Sequence, residues 1–308
     1  MHRKKIILDL DTGIDDSIAL AFAALSSEVE LLGVTGTFGN VDTMTGVRNA
    51  LDVLALVGRT DVPVLAGKTC SLAQEQFCRH AESARIHGEN GVGQANLPRS
   101  PRVVEKEPAV DFLIRMMNEY RDGLTIVTTG PLTNLATVLL RDSLLHTWRG
   151  QVVMMGGALT VRGNVTHFAE ANIAQDPEAA KIVMESGLSV TMVPLDVTMR
   201  SRLRSSDAER WRSSGSDVGR LFGCMLDYYI ANTLGADETY IHDPSAIVCA
   251  LHPEYFTILP FHMTVETEGV DRGRTVVDHR RLRDRNPATK VCLDVDAGQV
   301  ERNLANIW

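Results

Sequence analysis

Asp9-Leu10-Asp11-Thr12-Gly13-Ile14-Asp15-Asp16 is the stretch on which the fold turns. It follows the apolar run Ile6-Ile7-Leu8 and precedes Ser17-Ile18-Ala19-Leu20-Ala21-Phe22-Ala23, whose spacing and residue types are those of a buried helix. Four carboxylates therefore crowd a strand-to-helix turn. Like charges this dense repel one another unless a cation neutralises them or some of them protonate. Donors that are all oxygen suit a hard ion, so calcium or magnesium is expected and zinc is not. The same residues also fit a solvated acidic turn in which Asp15 or Asp16 is the helix N-cap. An EF-hand loop starting at Asp9 is excluded, because its twelfth position, which needs a bidentate carboxylate, is Leu20.

Outward from that turn, apolar strand-like runs alternate with helical patterns. Strands are expected at 6–10, 31–37, 62–65, 124–128, 152–155 and 190–195, with helices near 16–25, 43–57, 109–120, 132–140 and 177–186. This rhythm predicts an α/β fold, a mostly parallel central sheet with helices on both faces, within a single domain over residues 1–308. The tail, with runs at 263–265, 274–277 and 290–293, predicts short antiparallel strands ahead of a final helix. Ligands of such sheets bind beyond the carboxyl ends of the strands. The polar residues obey that rule: Asp9 and Asp11 end the first run, Asn40 follows the second, Thr129 follows Leu124-Thr125-Ile126-Val127-Thr128, and Asn164, Glu170 and Asn172 lie beyond Val152-Val153-Met154-Met155.

Two long stretches break the rhythm. Residues 67–102 contain the glycine-rich Ile86-His87-Gly88-Glu89-Asn90-Gly91-Val92-Gly93, a lid or a surface excursion. Residues 200–242 begin polar, rich in Arg and Ser, and continue as a helical pattern over 218–233 that carries Tyr228 and Tyr229.

With 308 residues the chain can bury a large core, and its 44% hydrophobic and 23% charged fractions are ordinary for a globular protein. A net charge of −8 argues against a nucleic-acid or anionic-membrane surface, since both require clustered Lys and Arg. The five cysteines are odd in number and include no Cys-x-x-Cys pair, which points to a reducing cytoplasm rather than a disulfide framework. No signal-peptide core or apolar run of about 18 residues is present, so neither export nor membrane insertion is expected.

His242-Asp243-Pro244 is the second constellation, leading into Ser245-Ala246-Ile247-Val248-Cys249-Ala250-Leu251. Proline suits a first helical turn, which makes Asp243 an N-cap candidate. Together with Asp9 to Asp16, Thr37-Phe38-Gly39-Asn40, Thr129-Gly130-Pro131-Leu132-Thr133-Asn134, Met155-Gly156-Gly157, and Gly163-Asn164 with Glu170 and Asn172, this segment resembles the nucleoside hydrolases of the inosine-uridine-preferring type. The matching pieces run in the family's order from the start of the chain to about residue 252.

The resemblance implies a Ca²⁺ site made of Asp11, Asp16, the backbone carbonyl of Thr129 and Asp243, in a homodimer or homotetramer acting on a small nucleoside. It further implies that Asp15 binds the ribose diol while Asn40, Asn164, Glu170 and Asn172 hold sugar hydroxyls. Asp11 would take a proton from the attacking water and His242 would protonate the leaving base. Tyr228 or Tyr229 would assist, and His87 would approach the base from the lid. Thr12 and Leu10 depart from the family's usual turn residues, and no tryptophan falls in a motif. Two alternatives stand beside this one. The first is a Mg²⁺ phosphatase of the haloacid-dehalogenase type with Asp9 as nucleophile and Asp11 as acid. The second is a non-catalytic, metal-dependent nucleoside-binding protein.

Overall fold

The structure is a computed structural model that describes residues 3–234, 237–305 and 307. The first half of the sheet consists of β1 (Lys4–Leu10), β2 (Val29–Gly36) and β3 (Val64–Ala66), followed by β4 (Leu124–Thr128), β5 (Gln151–Met155) and β6 (Ser189–Val193). Two small antiparallel pairs lie outside it: β7 (Arg202–Arg204) with β8 (Glu238–Tyr240), and β10 (Met263–Val265) with β11 (Thr275–Val277). Strands β9 (Phe256–Phe261) and β12 (Thr289–Val295) complete an eight-stranded sheet of order β3-β2-β1-β4-β5-β6-β12-β9. All of its pairings are parallel except that of β12 with the edge strand β9. The expected tail strands at 263–265 and 274–277 form their own hairpin, whereas 290–293 belongs to the main sheet, where buried Val291 and Cys292 extend its core.

Alternate residues of each strand enter opposite cores. In β1, Ile6, Leu8 and Leu10 join one cluster and Ile7 the other; in β5, Val153 and Met155 oppose Val152 and Met154. A strand covered on both faces has no polar side, which is why these strands read as mainly apolar runs. The first face is covered by α1 (Ile14–Leu25), α2 (Thr43–Leu56), α9 (Ser205–Arg212), α10 (Asp217–Asn232), α11 (Asp243–Leu251) and α12 (Ala297–Ala305). The second is covered by α4 (Ala109–Tyr120), α5 (Thr133–Arg141) and α7 (Pro177–Glu185). Three short helices lie near the carboxyl ends of the strands: α3 (Ala81–His87) inside the stretch 67–102, α6 (Ala171–Gln175) and α8 (Leu195–Thr198). Among the described residues no helix is long and apolar enough to cross a membrane.

Candidate active site

Strand β1 sits between β2 and β4, and from it the chain builds outward first to one side and then to the other. That switch point leaves a crevice above the strand ends. The register levels its walls: Asp9 lies opposite Thr35 of β2 and Thr128 of β4, the Thr129 N–H donates to the Asp9 carbonyl at 2.9 Å, and the Thr37 N–H to that of Leu10 at 2.9 Å. Asp11, Asn40 and Thr129 therefore leave the sheet side by side.

Helix α1 starts at Ile14, with Gly13 in the N-cap position, so Asp15 and Asp16 lie inside the first turn and neither is the N-cap. Asp16 Oδ2 instead accepts the Gly13 N–H at 2.8 Å. The helix's free N–H groups favour negative charge at this end. Asp243 also departs from expectation: α11 begins at Asp243 with His242 as its N-cap residue, and no side chain caps the helix. The carboxylate is left for the site.

Asn40 bridges two of the acids. Its N–H donates to Asp11 Oδ2 at 2.7 Å, and its Nδ2 to Asp11 Oδ1 at 3.2 Å and Asp16 Oδ2 at 3.0 Å. Gly39 permits this approach: at φ +155° it has a conformation that suits glycine, and a Cβ there would stand 1.9 Å from Asp11 Oδ2. Thr129 Oγ1 donates to Asp16 Oδ1 at 2.6 Å, and Tyr229 Oη to Asp15 Oδ2 at 3.1 Å.

Asp15, Asp16 and Asp243, all buried, offer carboxylate oxygens that lie within 4.8 Å of one another and could hold a metal ion. Asp15 Oδ1 is buried without a hydrogen-bond partner. An all-oxygen, multiply anionic set of this kind fits a hard cation. Burial, reinforced by the neighbouring carboxylates, raises Asp11 and Asp243 well above the ordinary carboxylate range and pushes Asp15 up to about 7. Burial lowers His242 to about 4, and burial with the nearby Arg79 charge lowers His87 to about 3.

A cavity of about 680 Å³ opens over these groups. Asp15, Asn40, His87, Thr129, Asn164, Glu170, Asn172, Tyr229, His242 and Asp243 line it. Asp11 and Asp16 lie fully buried and are not among its lining residues. Tyr228 is also absent from the lining. Consecutive residues on a helix point about 100° apart, so α10 turns Tyr229 into the cavity and leaves Tyr228 against Gly93.

Three predicted sugar contacts also shape the walls. Glu170 caps α6, accepting from the N–H groups of Asn172 and Ile173, and takes the Gly157 N–H as well. Asn164 Oδ1 accepts the Ala171 N–H at 2.9 Å, and Asn172 Nδ2 donates to the Thr129 carbonyl at 2.7 Å. His242 Nδ1 lies 2.8 Å from Thr198 Oγ1, while His87 Nδ1 accepts the Ile14 N–H at 3.1 Å. Phe38, Phe77, Arg85 and Tyr240 line the cavity without having been singled out in the sequence. Trp148 and Trp211 are buried elsewhere, and Trp308 lies outside the described residues.

Asp9 does not suit a phosphatase nucleophile. It is 1% exposed, and its Oδ1 accepts from Thr35 Oγ1 at 2.6 Å and Asn134 Nδ2 at 2.8 Å. Residues 6–302 match the family described as inosine-uridine preferring nucleoside hydrolase. The chain belongs to that family. Among this nucleoside hydrolase's relatives, the pyrimidine-specific ribonucleoside hydrolase RihA of Klebsiella pneumoniae is 37% identical, the match covering 94% of each chain. The probable uridine nucleosidase 2 of Arabidopsis thaliana is also 37% identical, over 97% of this chain and 95% of that one. The solved purine-preferring ribonucleoside hydrolase from Gardnerella vaginalis superposes with a TM-score of 0.96 at 41% identity, covering 99% of this nucleoside hydrolase and 98% of that chain.

Proposed function

We propose that this nucleoside hydrolase cleaves the N-glycosidic bond of ribonucleosides, inosine and uridine among them, to free base and ribose, with Ca²⁺ held by Asp11, Asp16, the Thr129 carbonyl and Asp243. The observation that carries this is the convergence of buried carboxylates beneath the cavity, with one Asp15 oxygen unpartnered. Bound there, the ion would neutralise the carboxylates, lower the pKa of water and engage sugar hydroxyls.

The chain's own residues supply the rest. Asp15 accepts from the ribose diol, and Asn40, Asn164, Glu170 and Asn172 surround the remaining hydroxyls. A deoxyribonucleoside would leave such buried polar groups without partners and bind poorly. Asp11, oriented by Asn40, takes the proton of the attacking water. If the Thr198 hydroxyl donates to His242 Nδ1, the hydrogen of the neutral ring sits on Nε2, free for the departing base. Tyr229 orders Asp15, and His87 closes the base side of the cavity. A homodimer or homotetramer working in the cytoplasm is part of the same proposal.

The test is base release from inosine and uridine by the purified protein, before and after treatment with EGTA and after Ca²⁺ is added back. Loss on chelation with recovery on Ca²⁺ is expected. Full turnover by protein shown to be metal-free, or binding of nucleoside with no base release, would overturn it; hydrolysis of p-nitrophenyl phosphate in its place would return the phosphatase alternative.

A further inference from the structure

We infer that Arg79 is a positioning residue that latches the segment 79–91 onto the sugar side of the site by gripping Asn40. Its Nε donates to the Asn40 carbonyl at 2.6 Å, its Nη2 to that of Gly88 at 2.7 Å and its Nη1 to that of Glu89 at 3.0 Å. One planar guanidinium thus binds three backbone carbonyls from two chain segments far apart in sequence. The nearest carboxylate, Glu89 Oε2 at 3.5 Å, belongs to a side chain that is 80% exposed. A fork holds its donors at three fixed, separate positions, which the one nitrogen of an ammonium does not reproduce.

Both segments carry site residues. Asn40 holds Asp11 and Asp16 from its other side. Gly88 and Glu89 directly follow His87, which accepts the N–H of Ile14 at the head of α1. The segment has other anchors as well: Arg85 Nη1 donates to the Asn232 carbonyl at 2.5 Å, Asn49 Nδ2 donates to the Asn90 carbonyl at 2.9 Å, and the buried His87 meets Tyr229 with ring centroids 5.6 Å apart. Arg79 is the tie that joins the segment to Asn40, and through it to Asp11 and Asp16, while the His87 ring meets Tyr229, which donates to Asp15. Losing it lowers the fraction of molecules in which His87 and Asn40 are both in place, and apparent affinity falls in proportion to that fraction. Once substrate is bound the acids and the attacking water are unchanged, so the loss is of affinity rather than turnover.

This rests on the proposed activity, and the experiment separates the two. Arg79→Ala and Arg79→Lys are assayed with inosine and uridine. In both, KM is expected to rise about tenfold or more with kcat within about threefold of the unaltered protein, lysine failing because it lacks the fork. Guanidinium chloride at about 20 mM should lower the raised KM of Arg79→Ala and leave the unaltered protein unaffected, which a merely structural role would not produce. Trypsin should cut after Arg85 at least about fivefold faster in both variants, because the latch no longer opposes local opening. An unchanged KM, or a fallen kcat at constant KM, overturns the latch. Should Arg79→Ala not fold, Arg79→Lys decides alone. If the unaltered protein releases no base, the proposed function fails while the tryptic comparison still decides the latch: equal rates would refute it.

Discussion

His242 is held neutral by burial, at about 4, and so it meets the departing base as an N–H hydrogen-bond donor, strengthening as negative charge grows there, rather than as a charged acid. Replacing it with alanine should slow inosine hydrolysis by about 10²-fold or more. The same variant should barely slow p-nitrophenyl riboside, whose leaving group needs no proton. Equal losses on both substrates would mean that His242 only seats Asp243 at the start of α11. Asp11→Asn should remove turnover by roughly 10² to 10⁴-fold while sparing much of the affinity, because the amide keeps the size but cannot accept the proton. Bound calcium measured in the same sample must stay constant, and a variant with its metal and full kcat would place the base elsewhere. At this scale the sequence was legible in placing Asp11, Asn40 and Thr129 just past apolar runs, because the parallel register brings those strand ends to one level. It was silent on Arg79, whose partners are backbone carbonyls that every residue carries. Tyr228 and Tyr229 could not be separated without the phase of α10.

The junction of β1, β2 and α5 sets the height at which the acids emerge. Asn134, at the start of α5, donates to Asp9 Oδ1 at 2.8 Å and to the Gly36 carbonyl at 3.1 Å, and accepts the Lys68 N–H at 2.8 Å. Asn134→Ala would leave the buried Asp9 with only Thr35, so a loss of about 2–4 kcal/mol in unfolding free energy is expected from urea titration. A change below about 0.5 kcal/mol would show that this network does not tie the elements together. The parallel strands were legible because burial on both faces leaves each a mainly apolar run. Helices α3, α6 and α8 were not, because none is long enough to show a repeat of 3.6 residues. Strand β12 announced itself as a strand, but its parallel partner β6 lies 99 residues earlier at the paired positions and its antiparallel partner β9 lies 28 to 39 residues earlier. Nothing local to residues 289–295 specifies that position.

Seen as a whole, the molecule concentrates buried negative charge at one point, and its stability should follow pH accordingly. Asp15 is raised to about 7 and Asp9 to about 6 in the folded chain, above the ordinary carboxylate value. Groups of this kind stabilise the metal-free fold fully at about pH 4 and lose that contribution as the pH climbs through 6 and 7. In EGTA the melting temperature should therefore decline between about pH 5 and pH 8, and the increment given by Ca²⁺ should be larger at the upper end. An increment that is constant, or largest at low pH, would place the ion elsewhere. The insertion of β12 between β6 and β9 has a further consequence, which concerns the order of events during synthesis. On a ribosome adding about 5–20 residues per second, β6 and β9 are both exposed before the strand that joins them exists. The nascent chain must carry those two open edges until residues 289–295 are made. A stalled or shortened polypeptide would have the whole acidic turn and Asp243, yet a sheet split in two, and it is at those unzipped edges that chaperones or self-association would first take hold.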